Sequence, residues 1–227
     1  DQFLTLYKQK IKVPFMCNLT ANLVTEKIVK RLKDGGCYGI SMGIESGNET
    51  IRTQVLKKYI TNQQIIKAGK VVKKHGLVLK TYNILCLPGE ELKEAFETLE
   101  INAKIKPDQT SCSFLQPFPK YEITQYAKRK GYLDKTYGVD DYSGSIYYLS
   151  PILSKSKRRL ENLQTFFFLG SRLPFLIPLI KLLIRFPPNP FYRFAARGFY
   201  GLFMSKVHRL TFPDIIRSVS HFDPFDL

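Results

Sequence analysis

Residues 11–117 alternate between short apolar runs and longer stretches with helical spacing. Lys12-Val13-Pro14-Phe15-Met16-Cys17 reads as a short strand. Leu23, Ile28, Val29 and Leu32 then share one helical face, which predicts a helix over 22–34 stopped by Gly35-Gly36. Cys37 to Ile44 is a second strand. Thr61-Asn62-Gln63-Gln64 has the pattern of a capping box, and the helix it opens carries Ile65, Ile66, Ala68, Val71 and Val72 and ends at His75-Gly76. A third strand covers 77–85. A helix over 91–103 follows, with Leu92, Ala95, Phe96, Leu99 and Ala103 inward and Pro107 beyond its end. A fourth strand covers 110–116 before Pro117-Phe118-Pro119, and a short helix covers 122–130. Strands separated by helices of about ten residues or more imply βαβ crossovers and a parallel sheet, as in a β/α barrel or an open doubly wound sheet. Four strands cannot close an ordinary barrel.

The rhythm changes after this point. Residues 134–154 form a loop rich in Tyr, Asp and Gly, which divides the chain into 1–133, a linker over 134–154, and a helical extension over 155–227. The net charge is +16, and residues 151–227 hold 12 basic against 4 acidic groups. From Lys155 to Arg209, eleven basic residues face one acidic residue, Glu161, amid abundant Phe, Leu and Ile. The apolar run 166–186 is broken by Arg172, Pro174, Pro178, Lys181 and Arg185, which suits a helix lying at a membrane surface better than one spanning it. Packing against the sheet is the competing reading. Nucleic-acid contact has only charge to support it, because no recognised module is present. The four cysteines at 17, 37, 86 and 112 have no CxxC spacing, so no local metal site is expected. Without a secretory signal, the expected location is cytoplasmic, peripheral to the inner membrane face if the basic extension binds lipid.

The ordered segments PFMCN, GCYGISMGIESGNE, TNQQ, YNILCLPGE and LQPFP over residues 11–133 resemble the second half of a radical S-adenosylmethionine (radical SAM) catalytic domain. They resemble more narrowly its cobalamin-binding group. The resemblance implies an α/β fold, a partial β/α (TIM-like) barrel whose third to sixth strands are those above, followed by the mainly helical C-terminal extension. It places Asn18 near the amino group of the cofactor's methionine. Glu45 and Ser46 match the ribose motif, where a carboxylate accepts from both hydroxyls. Lys58, or its neighbour Lys57, matches the basic position facing the cofactor's carboxylate. Ile84 and Leu85 match the adenine motif of the next strand, and Gln116 ends the last one beside the expected substrate cavity. No residue is singled out as catalytic, and Glu90 is read as part of a turn or helix start.

The sequence also departs from the pattern. Cys86 stands where the family usually has Gly, and Lys120 stands where it often has Gly after Pro119. The CxxxCxxC triplet that holds a four-iron–four-sulfur (4Fe-4S) cluster is absent. Together with a start at Asp1, this predicts a fragment of a longer enzyme, inactive alone. The intact protein would use S-adenosylmethionine, the cluster, cobalamin and an electron donor to generate a deoxyadenosyl radical and transfer methyl groups or functionalise C–H bonds on a small-molecule or lipid-like substrate. Two competing expectations are a non-catalytic barrel descendant serving as a membrane-surface or partner-binding module, and an RNA-modifying relative.

Overall fold

A computed structural model describes residues 2–142 and 150–208, the last five by backbone alone. Four parallel strands, β1 (Phe15–Asn18), β2 (Cys37–Glu45), β3 (Val78–Leu85) and β4 (Gln109–Phe114), lie side by side in sequence order. An amphipathic helix, α1 (Gln2–Lys10), precedes them, and sequence reasoning did not foresee it. The crossovers are α2 (Glu26–Asp34), α3 (Asn62–Lys74) and α4 (Leu92–Ile105), followed by α5 (Glu122–Arg129). The parallel α/β architecture and helical C-terminal part are therefore as expected.

Local chemistry sets the boundaries. The single helix expected over 22–34 is two elements, a 3-10 turn at Ala21–Leu23 and then α2. Thr25 is the reason: its Oγ1 accepts from the Ile28 amide at 3.2 Å and caps α2, which leaves Leu23 51% exposed rather than inward. At α3 both bonds of the Thr61–Gln64 capping box form. The fourth strand stops at Phe114, so Gln116 lies in the following segment, where it is buried.

The sheet buries one face under helices. Ile40, Met42, Ile44 and Leu79 pack with Ile65, Val72 and Ile105 in one core. Leu85, Phe114 and Leu99 pack with Leu160, Leu163, Phe166 and Phe167 of α6 (Lys157–Arg172) in a second. The extension thus shares its core with the β/α part: Phe166, Phe167 and Phe168 are buried rather than presented outward. Gly170 is what lets α6 come so close, since a Cβ there would stand 3.0 Å from Leu99 Cδ2 and 3.1 Å from Ile180 Cδ1. Beyond α6 the chain makes a 3-10 turn at Pro174–Leu176, then α7 (Ile177–Leu183) and α8 (Pro190–His208). Among the described residues no helix is long and apolar enough to cross a membrane.

Candidate functional site

The other face of the sheet is built from the alternate residues of each strand, and it is polar. Register places Asn18 beside Ser41, Ser41 beside Lys80, and Lys80 beside Gln109, a row of four polar residues across all four strands. The next row on that face, toward the C-terminal edge, joins Gly43, Tyr82 and Ser111. Lys80 Nζ lies 5.0 Å from the Tyr82 ring centroid. Sequence reasoning missed this face apart from Asn18 and Ile84. Period-two reading of Val78-Leu79-Lys80-Thr81-Tyr82-Asn83-Ile84-Leu85 would have found it, because the face toward the helices (79, 81, 83, 85) is fully buried and the other is not.

At the C-terminal edge β2 bulges. Pairing with β3 skips from Gly43 to Glu45, and Glu45 takes a left-handed φ of 62°. That turn folds the Glu45 side chain back over Gly43, where an added Cβ would run into Glu45 Oε1 and stand 3.1 Å from Lys58 Nζ. Lys58 Nζ donates to Glu45 Oε1 at 3.1 Å and to the Gly43 carbonyl at 2.8 Å. Both side chains are about a quarter exposed, 22% for Lys58 and 25% for Glu45. Of the two lysines, then, Lys58 faces the site. Lys57 is exposed and carries the left-handed turn, φ 55°, that brings its neighbour around.

The other predicted residues are placed differently. Asn18 is exposed at the end of β1; its partner Ser41 lies four residues before Glu45, about 13 Å along the strand. Ser46 is fully buried, and its Oγ accepts from the Asn48 amide at 3.2 Å, so the hydroxyl serves the loop. Ile84 lies on the open face, whereas the Leu85 side chain is fully buried against α4 and α6, leaving only its backbone near the edge, with its carbonyl accepting from Leu115. Structure therefore joins Glu45 with Lys58 and puts Asn18 and Ile84 on the same face, while Ser46, Leu85 and Gln116 turn inward.

Arg52 holds the loop that carries Glu45, and nothing local in sequence marks it. It lies in a π-helical turn (Ile51–Val55) and is fully buried. Its guanidinium donates to the carbonyls of Ile60 (2.7 Å) and Ser46 (2.6 Å) and to Asn62 Oδ1 (2.8 Å). Asn62 Nδ2 in turn donates to the Gly47 carbonyl at 2.9 Å. Burial holds the Arg52 pKa below its ordinary value, with Glu49 opposing the shift from 3.6 Å.

The edge of β3 is built on a similar bend. Cys86, at the position where a glycine was expected, adopts φ 59°, the left-handed region that glycine enters freely. Its thiol is buried, and burial pushes its pKa up to about 12. Leu87-Pro88-Gly89-Glu90 then forms a turn closed by the Glu90 amide on the Leu87 carbonyl, with Gly89 at φ 85°. Glu90 fits the turn role expected of it: Oε2 accepts from the Leu87 amide at 3.3 Å, while buried Oε1 has no hydrogen-bond partner.

Residues 2–101 match the family description "Radical SAM superfamily". Over 127 residues the chain is 30% identical to an uncharacterized methyltransferase of Pyrococcus horikoshii, which is 56% of this chain and 28% of that protein. Over 119 residues it is 31% identical to an uncharacterized protein of Methanocaldococcus jannaschii, 48% of this chain and 23% of that one. The chain thus matches about a quarter of the length of either relative. Among solved structures, coproporphyrinogen III oxidase from Escherichia coli, a radical SAM enzyme, aligns over 78% of this chain and 36% of its own at a TM-score of 0.50 and 15% identity, a likeness of fold.

Proposed function

We propose, from the premise that this chain belongs to the radical SAM superfamily, that its open sheet face is the S-adenosylmethionine-binding half of a catalytic barrel in a methyl-transferring enzyme. One observation carries the reading: a carboxylate and an ammonium, Glu45 and Lys58, are brought together on a left-handed bulge at the C-terminal edge of a parallel sheet whose neighbouring face presents Asn18, Lys80, Tyr82 and Ser111, each at least partly exposed. In parallel α/β folds that edge is where ligands bind.

The residues present suit the cofactor. Glu45 can accept from two ribose hydroxyls once Lys58 turns from it toward the methionine carboxylate. The missing Cβ at Gly43 leaves the place that the Glu45 carboxylate occupies, with Lys58 Nζ beside it. Asn18 offers a carbonyl oxygen to the methionine ammonium, and Ile84 an apolar surface to adenine. Arg52 is a positioning residue, fixing Ser46 and through it the Glu45 bend. When bound, S-adenosylmethionine would supply an alkyl radical on one-electron reduction, or a methyl group by displacement at its sulfonium. The protein's part is to hold its polar ends apart on the sheet and keep water from the reacting centre.

The 4Fe-4S cluster does not fit these residues. The sequence has no CxxxCxxC, and no group of three or more potential ligands occurs among the described residues. The cluster's ligands, cobalamin and the electron donor would belong to other parts of the intact protein. Methyl transfer rests on the name of the Pyrococcus relative and on the resemblance.

The reading is tested by titrating the chain with S-adenosylmethionine and following amide resonances. Gly43, Glu45 and Lys58 should shift together, and Glu45→Ala should abolish the shift while the fold persists. Shifts confined to other parts of the chain, or unchanged binding in Glu45→Ala, would refute it.

A further inference from the structure

Phe175, Leu179, Leu182 and Phe186 follow one another at steps of four, three and four, a single stripe along the 3-10 turn, α7 and the turn that follows it. They are 73%, 48%, 50% and 52% exposed, whereas Ile180 and Ile184 on the opposite side are core residues. The following helix adds Phe191, Phe194 and Leu202, all exposed. Single exposed apolar side chains are ordinary, but a helical stripe of them marks a surface that meets something apolar.

Beside the stripe lies a cavity of about 280 Å³ between α4, α6 and α7. Lys93, Arg159, Lys181 and Arg185 surround it, Phe96 and Ile184 form part of its apolar lining, and no acidic residue lines it. Lys181 Nζ stands 4.9 Å from the Phe96 ring centroid, and none of the four cations makes an ion pair among the described residues. Lys181 and Arg185 alternate with Leu182 and Phe186 on the same segment, so charge and apolar surface present together. The one carboxylate of this stretch, Glu161, is engaged by Arg193 at 3.1 Å.

We propose that this face docks on a bilayer containing anionic phospholipid. A headgroup phosphate sits among Lys93, Arg159, Lys181 and Arg185, while Phe175, Leu179, Leu182 and Phe186 enter the acyl boundary. A soluble phosphate ligand would give the apolar stripe no role. RNA would favour stacking rings, yet half of the stripe is leucine. The attachment is peripheral, since no described helix can span a membrane. It does not depend on what the open sheet face binds.

The test is co-sedimentation of the chain with phosphatidylcholine vesicles, with and without phosphatidylglycerol, at about 0.1 M salt, where charges are felt over about 10 Å. Binding should require phosphatidylglycerol. Arg159→Gln with Arg185→Gln should weaken it by about fivefold per charge removed. Leu182→Ser with Phe186→Ser should weaken it by about tenfold or more. All four positions are outward-facing or rim the cavity, so each double variant should melt with the parent, which separates lost docking from lost folding. Equal binding to neutral vesicles, binding indifferent to both variant pairs, or release by inorganic phosphate at matched ionic strength would overturn the proposal. So would tighter binding to polyuridylate that ignores the serine variants, or a dimer that those variants dissociate.

Discussion

Arg52→Met tests whether one buried guanidinium holds the Glu45 loop. Methionine keeps much of the stem's volume and removes every donor, so the change isolates the hydrogen bonds. Two buried carbonyls, Ser46 and Ile60, lose their Arg52 donor, while Asn62 can still bond through its amide nitrogen to Gly47. An orphaned buried carbonyl costs about 1–3 kcal/mol, which gives about 2–6 kcal/mol gross. Against this, the variant recovers the cost of burying a charge whose nearest carboxylate, Glu49, is 3.6 Å away and half exposed. A net loss of about 3 kcal/mol corresponds to about 6–12 °C in Tm for a chain of this size. Thermal unfolding followed by circular dichroism at neutral pH reads this directly. Amide exchange should quicken first at Ser46 and Gly47. Arg52→Lys should fall between the two, because an ammonium cannot reproduce the planar fork. If Arg52→Met melts within about 1 °C of the parent, the guanidinium is not what holds the loop.

Three further outcomes are expected. Desolvation lifts the wholly buried Glu90 carboxyl to about 8, against 4.5 when unfolded, so its stability contribution is full below about 4.5 and is lost as pH rises through about 8. Unfolding free energy should fall by up to about 1.4 kcal/mol per pH unit in that window, and Glu90→Gln should flatten the slope, as denaturant melts at pH 5, 6.5 and 8 would show. Gly43→Ala places a Cβ against the Glu45–Lys58 pair, whose flexible ends can yield; Tm should move little while the amide shifts induced by S-adenosylmethionine shrink severalfold. The Cys17 and Cys37 sulfurs are 3.9 Å apart on neighbouring strands, and the Cys17 thiol holds the Cys37 pKa down at about 7 despite burial. Oxidised glutathione should therefore remove these two thiols together, leaving Cys86 and Cys112, both raised by burial, titratable after denaturation; peptide mapping identifies the pair.

How much the sequence revealed depended on how far each partner lay along the chain. The Thr61–Gln64 box was legible because both halves sit within four residues. The parallel α/β architecture was legible because the helices between the strands carry their own apolar faces. Arg52 was not, since its acceptors at Ser46, Ile60 and Asn62 converge only once the loop is folded, and a buried arginine looks like a surface one in sequence. Glu45 and Lys58 were found only through resemblance. Composition could not choose between Lys57 and Lys58, and the choice turned on one left-handed backbone angle. The run Phe166–Phe168 looked fit for a membrane surface, yet the sheet claims it; the outward stripe begins only after Pro174.

The two faces of the sheet argue for a site from opposite sides. Parallel strands are usually apolar on both faces because helices cover both. Here Ile40, Met42, Leu79 and Leu85 meet that expectation on one face, whereas the alternate positions include Asn18, Ser41, Lys80, Gln109, Tyr82 and Ser111 beside the apolar Ile84. A second hydrophobic layer over that face would have to desolvate the Lys80 ammonium, the Asn18 amide and the Tyr82 hydroxyl, each costly unless paired. A ligand that brings its own hydroxyls, carboxylate and ammonium would pair them instead. The face is thus composed for contact with something polar, and the Glu45–Lys58 pair at its edge offers that ligand one charge of each sign.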